Sequence, residues 1–294
     1  MPSAQDILLT LLLAGGLPAL LAAALMAVGC VIGTRFEATP SVASAVALAG
    51  GMALGNTIAD HDWLVPWTPD RQAWTWLPQV VAAALAAGVV AHMPRVPSAL
   101  SWGLCGMVAA HAGWLLVPRD LTNEHLWAPL VLGAAIFAVW VVTEQVGRFD
   151  PAGLVPLLLV PSALSVAVLL APGSARFAQV GLILAGSLLG VGATALVMRR
   201  EGSGVAPGVA IVIPALLLTI WHTVYSDAES AVPPVPSLVL AALSPLALAP
   251  CLIPTWRRYQ WRGLWAVQLL LILLPTGGAV WMAARVGALE MDGE

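Results

Sequence analysis

Long apolar runs dominate this sequence and constrain its fold more than any other feature. A transmembrane α-helix needs about 20 predominantly apolar residues to cross the hydrocarbon core of a bilayer. Because 60% of the residues are hydrophobic and only 9% are charged, a water-soluble globule, with about 25% charged residues, is excluded. The sequence therefore predicts an all-α integral membrane protein with about ten transmembrane helices, at 7–33, 40–58, 77–93, 98–117, 126–146, 153–171, 175–198, 205–225, 235–254 and 263–286.

The basic residues orient these predicted helices. All 12 of them are Arg, which together with abundant Ala, Leu, Val and Gly is typical of GC-rich bacterial genomes. Cytoplasmic loops are enriched in Arg and Lys. No basic residue precedes the first run, so we expect that run to be a retained helix rather than a cleaved signal. We predict a bacterial cytoplasmic (inner) membrane protein with both termini on the non-cytoplasmic side, because these arginines follow the odd-numbered runs: Arg35, Arg95, Arg148, Arg199, Arg200, Arg257, Arg258 and Arg262.

Short matches recur in the same order in the two halves of the chain. Leu48-Ala49-Gly50 of the second run matches Leu184-Ala185-Gly186 of the seventh, and Leu126-Trp127-Ala128 of the fifth matches Leu264-Trp265-Ala266 of the tenth. Five helices per repeat would invert the second copy, and most pairs of equivalent loops change charge as inversion requires. Internal repeats of this kind predict two inverted five-helix repeats that form one membrane domain, at residues 1–150 (TM1–TM5) and 151–294 (TM6–TM10).

Two of the runs contain the spacing GxxxG, which lets helix backbones approach closely. It occurs at Gly51–Gly55 in the second run and at Gly186–Gly190 in the seventh. We expect these glycines to form a packing seam inside the chain. A dimerisation face is the alternative.

The predicted layout resembles that of drug/metabolite-type carriers and of auxin-efflux-type carriers, which also arrange ten helices as five plus five in a chain of similar length. The resemblance lies in the layout alone, because the sequence contains no motif of either family. No site residue is therefore carried over, and the resemblance implies only a transporter-like architecture.

A transport site is predicted where the first and sixth runs are interrupted by Gly or Pro. Transporters built from inverted repeats bind their substrates near the midplane, at helices interrupted in equivalent positions. Alternatively, the prolines only kink the helices, and the polar residues only join helices by hydrogen bonds. The candidate substrate-binding residues are Gly15, Gly16, Pro18, Asn56, His111, Pro156, Pro161 and Gln268.

Ionisable residues are almost absent from the predicted spans. Glu144 lies near the cytoplasmic end of the fifth run, where we expect it to reach water, and His111 is the deepest titratable residue, in the fourth. Ion-coupled carriers usually bury ionisable groups. The sequence therefore favours a facilitator, a carrier of apolar or lipid-like solutes, or a non-transporting scaffold over a coupled pump.

A second group of polar residues falls on the predicted outer side. Histidine and carboxylate side chains are ligands for divalent metals, but no HExxH or similarly spaced motif is present. Solvated loop residues are the simpler interpretation. The candidate metal ligands are His61, Asp62, His125 and His222.

Three functions follow from these patterns. The first is a small transporter or permease with its site between the repeats. The second is a non-catalytic structural or assembly subunit, with other membrane subunits as partners. The third is a membrane enzyme or metal-binding protein that uses the outer histidines and acids. The lipid bilayer is the expected partner in each case, and no cofactor is indicated. Nucleic acid is excluded as a partner because the net charge is −3 and no long basic stretch is present.

Overall fold

The computed structural model describes most of the predicted helices. The regular structure of its described residues is helical throughout. The described residues are 11–36, 39–59, 82, 86, 88–92, 97–117, 127–149, 154–171, 175–223, 233–253 and 264–291. Of the predicted span 77–93, the larger part lies outside them.

Nine longer helices run through the described part of the chain, and each coincides with one predicted run. The first is preceded by one π-helical turn, Leu12–Gly16, and the seventh by a 3₁₀ turn, Ser203–Val205. The eighth continues as a 3₁₀ helix, Ser244–Leu252. In chain order they are α1 (Leu17–Phe36), α2 (Pro40–Ala59), α3 (Ser98–Leu116), α4 (Trp127–Phe149), α5 (Val155–Leu170), α6 (Ala175–Met198), α7 (Ala206–Thr223), α8 (Val235–Leu243) and α9 (Leu264–Met291).

In the described part of the chain, six helical segments are long and apolar enough to cross a membrane. Val155–Leu170 and Ser203–Leu218 are apolar but shorter. Large apolar side chains on the outward faces of these helices are exposed, as lipid contact allows. The all-helical fold with membrane-compatible helices is thus confirmed. The six segments are Leu12–Gly33, Pro40–Ile58, Trp127–Phe149, Phe177–Met198, Val235–Leu252 and Leu264–Arg285.

The predicted glycine seam joins α1, α2 and α6. A β-carbon added at Gly186 would collide with the carbonyl oxygen of Gly15, so the α6 and α1 backbones are in direct contact. A β-carbon at Gly55 on α2 would lie 2.8 Å from the Cγ atom of Pro18. The prediction of a packing seam within the chain is confirmed, because small residues allow three helices to approach more closely than larger side chains would.

The other helices extend this bundle. Helix α5 packs along α6, with Gly181 against Ala167 and Gly192 against Leu157. Helix α3 packs on α4, where a β-carbon at Gly113 would meet the carbonyl oxygen of Pro129. Helix α9 packs on α5 and α8, and α7 packs on α4. The resulting core is apolar, apart from a few hydroxyl, amide and carboxylate side chains.

Helix α6 ends in a left-handed residue. Arg199 has a φ of 52°, and its amide donates to the Leu196 carbonyl over 3.3 Å, while the amide of Arg200 donates to the Ala195 carbonyl over 2.9 Å. This pair of hydrogen bonds is the Schellman motif, in which the left-handed position usually holds glycine. The motif turns the chain sharply towards Ser203–Val205 and the start of α7.

Candidate functional site

The most unusual side chain in the described structure is the carboxylate of Glu144. It lies on α4 and is only 1% exposed. The indole Nε1 of Trp140 donates to its Oε2 atom over 2.9 Å, and a terminal guanidinium nitrogen of Arg148 donates to its Oε1 atom over 2.6 Å. Both partners are four residues away on the same helix face, which is the spacing at which helical side chains meet. A buried carboxylate is tolerated only when it is paired and hydrogen-bonded in this way.

The expectation that Glu144 reaches water is therefore wrong. Its position near the end of α4 suggested exposure, but the face of α4 that carries it is turned into the bundle. Arg148, one turn later, is the residue that reaches the surface, with 46% of its side chain exposed.

His92 faces the same carboxylate from the short segment 88–92. Its Nε2 atom lies 4.0 Å from Oε1 of Glu144 and has no hydrogen-bond partner among the described residues, although the side chain is only 10% exposed. Its Nδ1 atom lies 2.8 Å from the carbonyl oxygen of Gly88. Because a carbonyl oxygen only accepts hydrogen bonds, Nδ1 must carry the hydrogen. In the neutral ring, Nε2 is therefore an acceptor that faces a carboxylate.

Three hydroxyl groups join the elements around this pair, Thr39 through the backbone carbonyl of His92 and Ser41 and Ser203 through one another. The hydroxyl oxygens of Ser41 and Ser203 are 3.0 Å apart, and Ser41 donates to Oε2 of Glu201 over 3.2 Å. Ser203 is then the donor to Ser41. The hydroxyl of Thr39 donates to the carbonyl oxygen of His92 over 3.1 Å. These contacts join the beginning of α2 to the segment 88–92 and to the residues before α7. We call Thr39, Ser41, His92, Glu144, Arg148, Glu201 and Ser203 the Glu144 cluster.

Glycines allow the backbones around the cluster to touch. A β-carbon at Gly204 would collide with the carbonyl oxygen of Ser41, and one at Gly147 would lie 2.6 Å from the Cβ atom of Ser203. A β-carbon at Gly88 would lie 3.2 Å from the carbonyl oxygen of Gly204. The cluster therefore lies in a tightly packed junction of α2, α4, the segment 88–92 and the residues before α7.

Helix α3 covers one side of the cluster with an aromatic ring. The guanidinium carbon of Arg148 lies 5.6 Å from the ring centroid of Trp102, which is a cation–π distance. Trp102 in turn packs edge-on against Phe137 at 6.2 Å. Arg148 is thus held between a carboxylate and an aromatic ring.

Four of the predicted substrate-binding residues lie in or beside the glycine seam. Gly15 and Gly16 are in the π-helical turn before α1, and Pro18 is buried against Gly55. Asn56 is buried, and its side-chain nitrogen donates to the carbonyl oxygen of Met52 over 2.8 Å. This hydrogen bond stays within α2, as the helix-packing alternative expects.

The other four lie elsewhere. Pro156 is buried in the first turn of α5, Pro161 is half-buried inside the same helix, and Gln268 is buried on α9. His111 is exposed on α3. Helices α1 and α5 each pack on α6, and in the described part of the chain they share no extensive contact with one another. The structure therefore does not place Pro18 and Pro156 in one cleft.

The proposed metal ligands cannot be placed. His61, Asp62 and His125 lie outside the described residues, and the His222 side chain does as well, although its backbone belongs to the last turn of α7. Within the residues that are described, no group of three or more His, Cys, Asp or Glu side chains could hold a metal ion.

An apolar cleft of about 370 Å³ opens between α4, α7 and α8. Trp127 and Val131 form one wall, Leu218 another, and Val235 and Val239 the third. The cleft and the Glu144 cluster share α4, the cleft near its beginning and the cluster near its end.

The cluster is not evident from the sequence because its members lie at or beyond the ends of the predicted spans. The one available signal was the spacing of Trp140, Glu144 and Arg148, which places three chemically matched side chains on one helix face. Nothing in the sequence signalled that His92, Ser41 and Ser203 would approach that face.

No protein-family model matches this chain, and no curated protein matches it. Its function must therefore be inferred from the geometry.

Proposed function

We propose that this chain is a small membrane transporter, a permease, and that the Glu144 cluster is the polar part of its transport path. The observation that carries the proposal is the burial of the Glu144 carboxylate in a helix apolar enough to span a membrane. Ionisable groups in such positions are costly, and by default they mark substrate or ion pathways. Elsewhere in the bundle the helices meet through glycine and alanine contacts. Close packing of the helices therefore does not in itself require a buried carboxylate.

The location of the cluster supports this proposal. Ser41 and Glu144 belong to the first half of the chain and Ser203 belongs to the second, and Ser41 and Ser203 share a hydrogen bond across that boundary. In transporters built from inverted repeats, the substrate site lies where the repeats meet. We therefore move the proposed site from the region of Pro18 and Pro156 to the Glu144 cluster.

We also propose that the chain is arranged as a ten-helix inverted repeat. The pairing of α1 with α2 matches that of α5 with α6, and the pairing of α3 with α4 matches that of α8 with α9. The membrane orientation is also proposed. Arg148, Arg199 and Arg200 are exposed, and an inner bacterial membrane would place them, together with the cluster, on the cytoplasmic side.

Uptake of labelled solutes by proteoliposomes tests the proposal. The solutes are neutral, anionic, cationic and amphiphilic small molecules, the last included because of the apolar cleft beside α4. We expect at least one solute to enter wild-type vesicles faster than protein-free vesicles, and we expect Glu144→Gln to abolish this uptake. Arg285→Gln serves as the control because Arg285 stacks on Trp281, outside the cluster, and we expect it to retain the uptake.

The result that overturns the proposal is a folded wild-type protein whose uptake equals that of protein-free vesicles for every solute. The assembly-subunit hypothesis would then be the stronger one.

A further inference from the structure

We propose that the apolar cleft between α4, α7 and α8 binds one acyl chain of a membrane phospholipid. The chain comes from the leaflet in which α4 and α8 begin. This inference goes beyond the proposed function and does not depend on it, because the cleft shares no residue with the Glu144 cluster.

The cleft has a buried floor below an exposed rim. Leu217 of α7 and Leu238 of α8 line it, and only 3% and 6% of their surfaces are exposed. Val131 of α4 and Val239 of α8 also line it, and both are exposed. A ligand that reaches Leu217 and Leu238 must therefore enter between the helices and cannot simply rest on their outer faces.

The cleft is elongated in the direction of the helices. Its lining residues on α8 recur along one face from Val235 to Leu243, and those on α4 do so from Trp127 to Ala135. Each stripe extends over eight residue steps, which is about 12 Å at 1.5 Å per residue. One leaflet is half of a hydrocarbon core that is about 30 Å thick. The cleft therefore spans most of one leaflet, as an extended acyl chain does.

The lining favours a hydrocarbon chain over a polar ligand. The described residues that line the cleft are all Ala, Leu, Pro, Trp or Val. A polar group buried against them would lose its hydrogen bonds with water and gain none in return, which is costly. Most ligand pockets contain a few polar groups that orient the ligand, whereas the described lining of this cleft offers only apolar surface. The shape and the chemistry of the cleft therefore both match an acyl chain.

Trp127 marks the end of the cleft at which the lipid headgroup lies. It is the first residue of α4 and is exposed, and tryptophan side chains favour the boundary between headgroups and hydrocarbon. Val235, the first residue of α8, lines the cleft as well. Farther along, α4 packs on Ser244–Leu252, the 3₁₀ helix that continues α8. The cleft is therefore open at the membrane surface and closed towards the midplane.

A transmembrane helix of a second protein is too wide for this cleft. An α-helix with its side chains is about 10 Å wide, and a length of about 12 Å of such a cylinder occupies more than twice the 370 Å³ of the cleft. A single acyl chain is much narrower, and the surrounding bilayer supplies acyl chains at high concentration. The acyl chain is therefore the occupant that the volume favours.

Photocross-linking in lipid vesicles tests this inference. The full-length protein is reconstituted in phosphatidylethanolamine with a phosphatidylglycerol that carries a diazirine in the middle of one acyl chain, and mass spectrometry locates the adducts. We expect adducts on Leu217 or Leu238, which lipids on the outer surface of the bundle cannot reach because both side chains are buried. Leu20, on the exposed face of α1, should also be labelled and shows that the probe is active.

Two matched substitutions test whether the cleft itself binds the chain. Val239→Trp adds an indole at the exposed rim of the cleft, where the core need not repack. We expect it to abolish the adducts on Leu217 and Leu238. Val197→Trp makes the same change on the exposed face of α6 and should retain them. If Val239→Trp does not fold, Ala135→Trp fills the cleft from the α4 wall instead.

Labelling of Leu20 without any adduct on Leu217 or Leu238 in the wild type overturns the inference, because another part of the chain or another protein then fills the cleft. Adducts that the cleft-filling substitution leaves unchanged overturn it as well. A photoactivatable free fatty acid provides a third comparison. If the fatty acid labels Leu217 or Leu238 and the phospholipid does not, the cleft binds a free amphiphile and the assignment to phospholipid is wrong. All of these outcomes are independent of whether the protein carries a solute.

Discussion

The indole of Trp140 and the carboxylate of Glu144 are joined by a 2.9 Å hydrogen bond inside α4, and both side chains are essentially inaccessible to solvent. The pair satisfies the only donor of a buried indole and keeps one carboxylate oxygen in place. With Arg148 on the other oxygen, both of these hydrogen-bond donors to the carboxylate come from α4 itself.

Replacing Trp140 with phenylalanine tests the contribution of this bond. Trp140→Phe keeps an aromatic ring but leaves one carboxylate lone pair unsatisfied, and hydrogen bonds to charged groups contribute about 1.5–3 kcal/mol. We expect a loss of that size in the free energy of unfolding, measured by denaturant titration in mixed micelles. Trp114→Phe is the matched control because Trp114 is exposed, and it should change stability by less than about 0.5 kcal/mol. Equal effects of the two substitutions would show that the buried bond contributes nothing.

The glycine seam predicts a strong dependence on side-chain size. In Gly190→Ala, the new β-carbon would collide with the carbonyl oxygen of Ala19, and neither backbone can move independently. We expect a loss of about 1–3 kcal/mol in the free energy of unfolding. Gly103→Ala, on the open side of α3 where nothing lies within 4 Å, should instead be neutral or stabilising by about 0.5–1 kcal/mol. A Gly190→Ala protein as stable as Gly103→Ala would contradict the close contact of α1 and α6.

The left-handed residue at the end of α6 predicts that a glycine at this position will stabilise the protein. Arg199 occupies a left-handed conformation, which costs an L-residue about 1–2 kcal/mol and costs glycine little. We expect Arg199→Gly to raise the thermal unfolding midpoint, corresponding to a gain of about 1 kcal/mol. Arg200→Gly, at the neighbouring position without a positive φ, should give no such gain. A destabilised Arg199→Gly protein would show that its side chain contributes more than the strained backbone costs.

Helix positions could be predicted from the sequence because each depends only on a local run of apolar residues. The glycine seam was equally predictable, because the GxxxG spacing places two small residues on one helix face, where they let another helix backbone approach closely. The contacts between helices agree only in part with the proposed inverted repeat. Helix α9 packs on α5, whereas the equivalent pair α4 and α1 shares no extensive contact in the described part of the chain. If the two halves are copies, the packing of each copy still depends on its own side chains.

The candidate site could not be predicted from the sequence for a different reason. Whether Glu144 reaches water depends on the rotation of α4 within the bundle, and that rotation depends on the elements packed against α4, chiefly α3, α7 and the 3₁₀ helix Ser244–Leu252. His92 and Ser203 are far from Glu144 in sequence, and their approach requires glycine contacts at Gly147 and Gly88. Pro18 and Pro156 were predicted as helix interruptions, but Pro18 packs against Gly55 of α2 and Pro156 lies in the first turn of α5, where proline is readily accommodated.

Cysteine labelling tests the proposed membrane orientation. Cys30, Cys105 and Cys251 are buried, so they should not react with a membrane-impermeant maleimide. Helices α7, α8 and α9 separate Arg200 from the C-terminal end, and three crossings place these positions on opposite sides of the membrane. In intact cells we expect Glu294→Cys to be labelled and Arg200→Cys to be labelled only after permeabilisation. Labelling of both positions from one side would contradict the orientation and the number of crossings.

A solute path that contains Glu144 is the core of the proposed function. Its most direct test is the initial rate at which proteoliposomes take up a radiolabelled solute chosen from the vesicle screen, with equal amounts of folded protein in each sample. We predict uptake by the wild type well above that of protein-free vesicles, and uptake by Glu144→Gln at the level of protein-free vesicles. Equal uptake by wild-type and Glu144→Gln vesicles would contradict the proposed path.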